Sequence, residues 1–279
     1  MIGSLRAELL KSRKRWANWI LFGILIALDL AFGYVISYLI LSHPPPRFES
    51  PVPASILKRE TFPENLLPDV LGGMTSVGAA IMIILGGLSS ASEYGWVTVQ
   101  TILVQKPGRS AVLLGKLLNL AIITVLISVA VLALSALASV IIVNIDGSTS
   151  SFPSATVLLK GTGALILQLG VWTAFGMFLG IAFRSTAAAI GGGLTYLFVG
   201  EALLARLLAN TTGVKEVLKF LPGQNADAIN ATFPYGFRNA QAATPLVSGG
   251  RGVITLLVYL AVFIVLSLLI FQRRDVTGA

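Results

Sequence analysis

The apolar positions of this chain fall into long blocks separated by short polar segments. A helix that crosses the hydrocarbon core of a bilayer needs about 20 mostly apolar residues at about 1.5 Å each. Six blocks meet that length, approximately Trp19–Leu41, Leu71–Ala91, Leu117–Val143, Val157–Ala182, Ala187–Leu208 and Gly252–Phe271. Only Phe183-Arg184-Ser185-Thr186 separates the fourth from the fifth, but a merged run would be far too long for one crossing. The first block has a basic start, as a signal peptide does. Its apolar run is longer than the about 7–15 residues of such a segment, and no small-x-small cleavage site follows. It ends instead at Ser42-His43-Pro44-Pro45-Pro46, where proline stops a helix. The pattern predicts an all-α polytopic membrane protein with six transmembrane helices.

Composition agrees. Of 279 residues, 55% are hydrophobic and 11% charged, against about 45–50% and about 25% in soluble domains. With no cysteine and the single histidine His43, disulfide scaffolds, thiolate zinc sites, cysteine nucleophiles and histidine metal clusters are excluded, and no metal site is expected. Basic residues orient the spans. Arg6, Lys11, Arg13, Lys14 and Arg15 precede the first span. Lys106, Arg109 and Lys116 follow the second, Arg184 follows the fourth, and Arg273 and Arg274 close the chain. Both termini are therefore expected in the cytoplasm, with the protein in the cell's inner membrane. Lys215, Lys219 and Arg238 run against that bias. The net charge of +8 suits anionic membrane lipid as a partner, and no basic stripe with interleaved aromatics points to nucleic acid.

The whole chain reads as a single transmembrane domain, residues 1–279, with four pieces outside the core. Residues 1–16 form an amphipathic interfacial elbow, with Leu5, Leu9 and Trp16 near one face. Residues 42–70 form a proline-rich outer loop with little room for long helices. Residues 209–250 form a second outer loop, with short helices expected at Val214–Leu221 and Ala226–Phe233. Residues 92–116 form a cytoplasmic segment between spans two and three. The run Gly108–Lys116 superficially echoes a phosphate-binding loop. Six residues separate its glycines, however, and Leu117 follows the lysine, so the required spacing fails. No nucleotide site or other cofactor site is expected in this chain.

Two acids lie inside the apolar blocks. Asp29 is ten residues into span one, near the midplane, and Glu201 lies two-thirds of the way along span five. An ionisable group at such depth faces protein or water. For Asp29, capping by a neighbouring hydroxyl or amide at a subunit contact outweighs a role as cation or proton ligand. For Glu201, Arg206 sits five residues on and so on another helix face, making a partner from elsewhere the expectation. Gly78, Gly86 and Gly87, Gly176 with Gly180, and Gly191–Gly193 permit close helix contact, within the chain or at a dimer seam.

The segment Ser89–Lys116 is longer and more apolar than a turn requires. Trp96, Val99, Ile102 and Leu103 alternate with Glu93, Thr98, Gln100 and Gln105, and the pattern breaks at Lys106-Pro107-Gly108-Arg109. This describes a short helix that can dock in a partner's groove and move the spans on either side. The order Glu93, Gly95, Thr98, Leu103, Pro107, Arg109, Gly115, Lys116 resembles the permease subunits of type-two ATP-binding-cassette exporters. The family often has its glycine and threonine adjacent, whereas Gly95-Trp96-Val97-Thr98 separates them here. The elbow, the six spans and the long loop before span six agree in layout. The resemblance implies half of a translocation pathway, paired with a second permease subunit as a homo- or heterodimer. Two cytoplasmic ATPase subunits would hold the ATP and engage a coupling helix through Glu93, Gly95, Trp96, Thr98, Leu103, Lys106, Pro107, Arg109 and Lys116. The chain itself would be no enzyme and have no catalytic residue. An ion-coupled carrier or channel using Asp29 and Glu201 is the alternative. An intramembrane enzyme would need clustered acids, histidines or a metal motif, and the sequence has none.

Overall fold

The computed structural model describes residues 2–44, 53–95, 109–203, 214–233 and 245–273. Among them every regular element is a helix. After α1 (Ile2–Lys14), the first long helix is built from α2 (Trp16–Leu28), a π-helical stretch (Asp29–Val35) and α3 (Ile36–Ser42). Then come α4 (Ala54–Lys58), two 3₁₀ turns (Arg59–Thr61 and Pro63–Asn65), α5 (Leu66–Gly73), a second π-helical stretch (Met74–Gly78) and α6 (Ala79–Gly95). Helices α7 (Arg109–Asp146), α8 (Ala155–Phe183) and α9 (Thr186–Thr195) follow, with α9 continuing as a π-helix over Tyr196–Leu203. Short helices α10 (Val214–Leu218) and α11 (Pro222–Asn230) precede α12 (Gly249–Arg273).

Among the described residues, five helical stretches are long and apolar enough to cross a membrane: Trp16–Ser42, Pro63–Ser92, Ala111–Asp146, Ala155–Phe183 and Gly249–Arg273. They correspond to expected spans one to four and six. The expected fifth, Ala187–Leu208, is helical through Leu203 and is not among the five; its remainder lies outside the described residues. The break between α8 and α9 falls within Phe183-Arg184-Ser185-Thr186, where the sequence placed it. Arg184 adopts the left-handed conformation at φ 53° and donates its N–H to Gly180 at 3.1 Å. The Ser185 hydroxyl then caps α9 by accepting from the Ala188 N–H at 3.3 Å.

Several boundaries differ from the expectation. Span two starts inside the proline-rich loop, because Leu66, Leu67, Val70 and Leu71 are buried and Pro68 sits in the first turn of α5, where its missing N–H has no partner to lose. In the second loop Pro222-Gly223 opens a helix rather than breaking one, and that helix ends at Asn230. Span three begins at Arg109, so the last eight residues of the segment 92–116 already belong to α7. Extended backbone at Arg15 (φ −83°, ψ 107°) separates α1 from Trp16, which belongs to α2 and is 79% exposed.

Spans two and four form the centre. Their most apolar windows are 61% and 72% buried, whereas those of the first and last spans are 11% and 17% buried and present most of their surface outward. The central pair, α6 and α8, meets backbone to backbone. A Cβ on Gly86 would overlap the Thr173 carbonyl oxygen, and one on Gly176 would overlap the Ile83 carbonyl. These glycines therefore serve packing within the chain. Around the seam lie Met82, Ile83, Leu85, Leu165, Leu169 and Met177, all buried. A ring contact chain of Trp172, Phe175, Tyr196, Phe263 and Tyr259 then joins α8, α9's continuation and α12, with centroids 5.0–6.4 Å apart.

Candidate functional site

The end of the bundle that carries α1 is held by polar contacts that the apolar pattern does not reveal. Glu8 of α1 is buried, at 5% exposed, and its carboxylate meets Lys116 Nζ at 3.2 Å. Lys116 is itself 3% exposed and donates to the Ser89 carbonyl of α6 at 2.8 Å. Arg15 reaches the same helix end, donating to the Leu88 carbonyl at 3.1 Å and to Ser92 Oγ at 2.6 Å. Asn119 Nδ2 on α7 donates to Ser12 Oγ at 2.7 Å. Gly115 permits the approach, since a Cβ there would stand 2.8 Å from that of Ser4. One face of α1, through Ser4, Glu8 and Ser12, together with Arg15 just after it, thus ties the last turns of α6 to the first turns of α7. These are the two ends of the segment singled out in the sequence.

Of the residues expected to engage an ATPase, Trp96, Thr98, Leu103, Lys106 and Pro107 lie outside the described residues, and Glu93, Gly95 and Arg109 are described in their helical backbone alone. Lys116 faces into the chain, and its partner is Glu8. Glu8 was missed because a glutamate among Arg6, Lys11 and Arg13 reads as part of a solvated face. The expected apolar stripe of the elbow is also not what packs: Leu9 is 36% exposed, and Ser4, Glu8 and Ser12 make the contacts.

Asp29 opens the first π-helical stretch and accepts a hydrogen bond from Ser135 Oγ of α7 at 2.6 Å, a hydroxyl cap as anticipated, but within the chain. Beside it runs a cavity of about 540 Å³ lined by Asp29, Glu60 and Asp69 together with Phe32, Met74 and Val77, among others. The sequence placed Glu60 and Asp69 in an outer loop; the helical start of span two carries Asp69 against Gly33 instead. The cavity lies between two π-helical stretches, 29–35 and 74–78, a local widening that is frequent at functional sites.

Arg206 lies outside the described residues, and among the described residues no loop base pairs with Glu201. Its Oε2 accepts from the Gly223 N–H at 2.7 Å, in the first turn of α11, where the helix end favours a negative group. Its Oε1 is buried without a hydrogen-bond partner. α11 is further anchored to α8 by Gln168 Nε2, which donates to Asn230 Oδ1 at 2.7 Å, and to α5 by Asn230 Nδ2, which reaches the Leu71 carbonyl at 3.4 Å. It nests on α12 where Gly252 brings the backbone against the Asn225 carbonyl. At the bundle end opposite α1, Lys58 pairs with Asp146 and stacks over the Tyr38 ring, 5.8 Å from its centroid.

No curated protein matches this sequence. Residues 67–277 match the family model described as "Protein of unknown function (DUF2705)", which takes in the start of span two, the α6–α8 seam, α11 and the last span. That match spans well over half of the chain, which therefore belongs to the DUF2705 family.

Proposed function

We propose that this chain is the transmembrane permease subunit of an ATP-binding-cassette exporter, spanning the inner membrane six times with both termini in the cytoplasm. It contributes half of the translocation pathway, pairs with a second permease subunit and is driven by separate cytoplasmic ATPase subunits. The observation that carries this reading is the clamp at the α1 end. The segment whose residues resemble a coupling helix is bracketed at both ends by Lys116–Glu8, Lys116–Ser89 and Arg15–Ser92 contacts. A force that reaches the two ends of that segment is then delivered to α1, α6 and α7 together. α6 transmits it through the glycine seam to α8, because close-packed helices shift as bodies and do not deform continuously.

The test is purification of the tagged full-length chain from its native membrane. A soluble nucleotide-binding protein should accompany it, and charge reversal at Glu93 or Arg109 should leave ATP hydrolysis by the complex intact while abolishing its dependence on cargo. Full-rate transport by both variants would remove Glu93 and Arg109 from the coupling role. The acid-lined cavity beside Asp29 favours a second reading, an ion-coupled carrier or channel. Uphill transport by the chain alone in liposomes, driven by an ion gradient without ATP, would select it.

A further inference from the structure

The face of α1 that turns away from the bundle mixes cations with apolar side chains. Ser4, Glu8 and Ser12, spaced four residues apart, make the contacts to α7. On the other side of the helix Arg6, Leu10, Arg13 and Lys14 follow at i, i+4, i+7 and i+8, and all are exposed. Beyond the turn at Arg15, α2 exposes Trp16, Trp19 and Ile20. Two hydrogen bonds join these helices into one surface. Trp19 Nε1 donates to the Arg13 carbonyl at 2.9 Å, and Asn18 Nδ2 donates to the Ser12 carbonyl at 3.0 Å. The surface carries charge of one sign. Residues 1–28 contain a single acid, Glu8, which is buried against Lys116 and also meets Lys11. Arg15 points inward to Leu88 and Ser92. Arg6, Arg13 and Lys14 are left facing outward, and among the described residues none of them forms an ion pair.

This mixture narrows what covers the face. Water solvates the cations but not Leu10, Trp16 or Ile20. The hydrocarbon core suits those apolar side chains but not three unpaired cations. The membrane interface accommodates both, with phosphates at the level of the cations, indole rings among the headgroups and acyl chains beyond them. The order along the chain matches that layering: cations on α1, indoles at the turn, then the aliphatic start of α2. A zwitterionic headgroup brings a cation of its own to a surface that has no exposed acid, so an anionic headgroup is the better electrostatic complement. Since the same helix carries Glu8, such a lipid and the Lys116 contact hold α1 from opposite sides.

We propose that α1 and the first turn of α2 form a binding surface for an anionic phospholipid, with its headgroup at Arg6, Arg13 and Lys14 and its chains against Trp16, Trp19 and Ile20. The experiment places the full chain in phosphatidylcholine vesicles that hold a minor fraction of brominated phosphatidylglycerol or, in a parallel set, of brominated phosphatidylcholine. Bromine quenches an indole that it touches. Trp16 and Trp19 report from the surface itself, Trp172 is buried, and a Trp16→Phe/Trp19→Phe variant supplies the background. One cation near a membrane surface is worth about five-fold, so three should enrich phosphatidylglycerol at these indoles by more than about ten-fold at low salt. Arg6→Gln/Arg13→Gln/Lys14→Gln should bring the two lipids within about two-fold of each other, with thermal stability retained because the three positions are exposed. Arg13→Gln/Lys14→Gln should fall between, and keeps the question measurable if the triple variant does not fold. Lys160→Gln removes an exposed cation at the opposite end of the bundle and should change nothing. Soluble glycerol phosphate, a headgroup without chains, should not relieve the quenching. Equal quenching by the two lipids in the wild type, an unchanged preference in the folded triple or double variant, or an equal loss in Lys160→Gln would overturn the proposal. So would relief by glycerol phosphate, which marks a free-phosphate site, or no quenching by either lipid, which marks a protein covering the face. None of these results bears on whether an ATPase accompanies the chain.

Discussion

Removing either partner of the Glu8–Lys116 pair should destabilise the protein, and the two removals should differ. At 3.2 Å and an effective dielectric of about 20, the attraction is about 5 kcal/mol before desolvation is subtracted. The side chains are 7% and 4% exposed, so water does not replace a lost partner. Glu8→Gln takes away the carboxylate that faces the buried Lys116 ammonium, and breaking a buried ion pair from one side costs about 3–5 kcal/mol. Lys116→Met leaves the Glu8 carboxylate its second contact, Lys11 at 2.8 Å, whose side chain is 47% exposed. That partner is half in solvent, and the cost should fall to about 1–2 kcal/mol, nearer the surface range. The double variant Glu8→Gln/Lys116→Met should be more stable than Glu8→Gln alone, since it also removes the buried ammonium that has lost its carboxylate. Thermal unfolding of the purified chain in one detergent, for wild type, both single variants and the double variant, reads all four. Equal losses for the two single variants, or a double variant at the sum of both losses, would refute the argument that a buried ion pair holds α1 to α7.

Gly86→Ala must push α6 off α8 because the new Cβ meets backbone, and should cost about 1–3 kcal/mol in the same unfolding assay. Gly170→Ala, a helical position of α8 with nothing within 4 Å, should be neutral or stabilising by about 0.5–1 kcal/mol; a loss as large as that of Gly86→Ala would deny the seam. Glu201→Leu should speed hydrogen exchange of the Gly223 amide and the first turn of α11, whereas Glu201→Gln retains an acceptor for that N–H and should change it little; equal protection in both variants would exclude a latch. Lys58→Met removes a partly exposed ion pair and a ring contact, and should cost no more than about 1–2 kcal/mol, with a larger loss in unfolding assays showing that the far end is more tightly organised than its exposure indicates.

What the sequence determines by itself is one-dimensional. In hydrocarbon each backbone N–H and C=O must be satisfied within its own segment, so block length alone identifies spans one to four and six. The short gap Phe183-Arg184-Ser185-Thr186 is enough to place the α8–α9 break. Proline and charge positions mark the ends in the same local way. The tertiary structure decides which face of each helix meets which neighbour. In α7 and α8 nearly every side is apolar, so no polar–apolar stripe exists to read. Partner choice then depends on steric fit between backbones, as at Gly86 against Thr173, and on long-range polar pairs such as Glu8 with Lys116, Asp29 with Ser135 and Gln168 with Asn230, separated by 108, 106 and 62 residues. Asp69 and Glu60 join Asp29 around one cavity because the helix of span two begins several residues earlier than hydropathy alone indicates, buried by leucines that precede the longest apolar run. Local chemistry sets where a helix runs, whereas the arrangement of carboxylates around a shared cavity emerges when the helices pack.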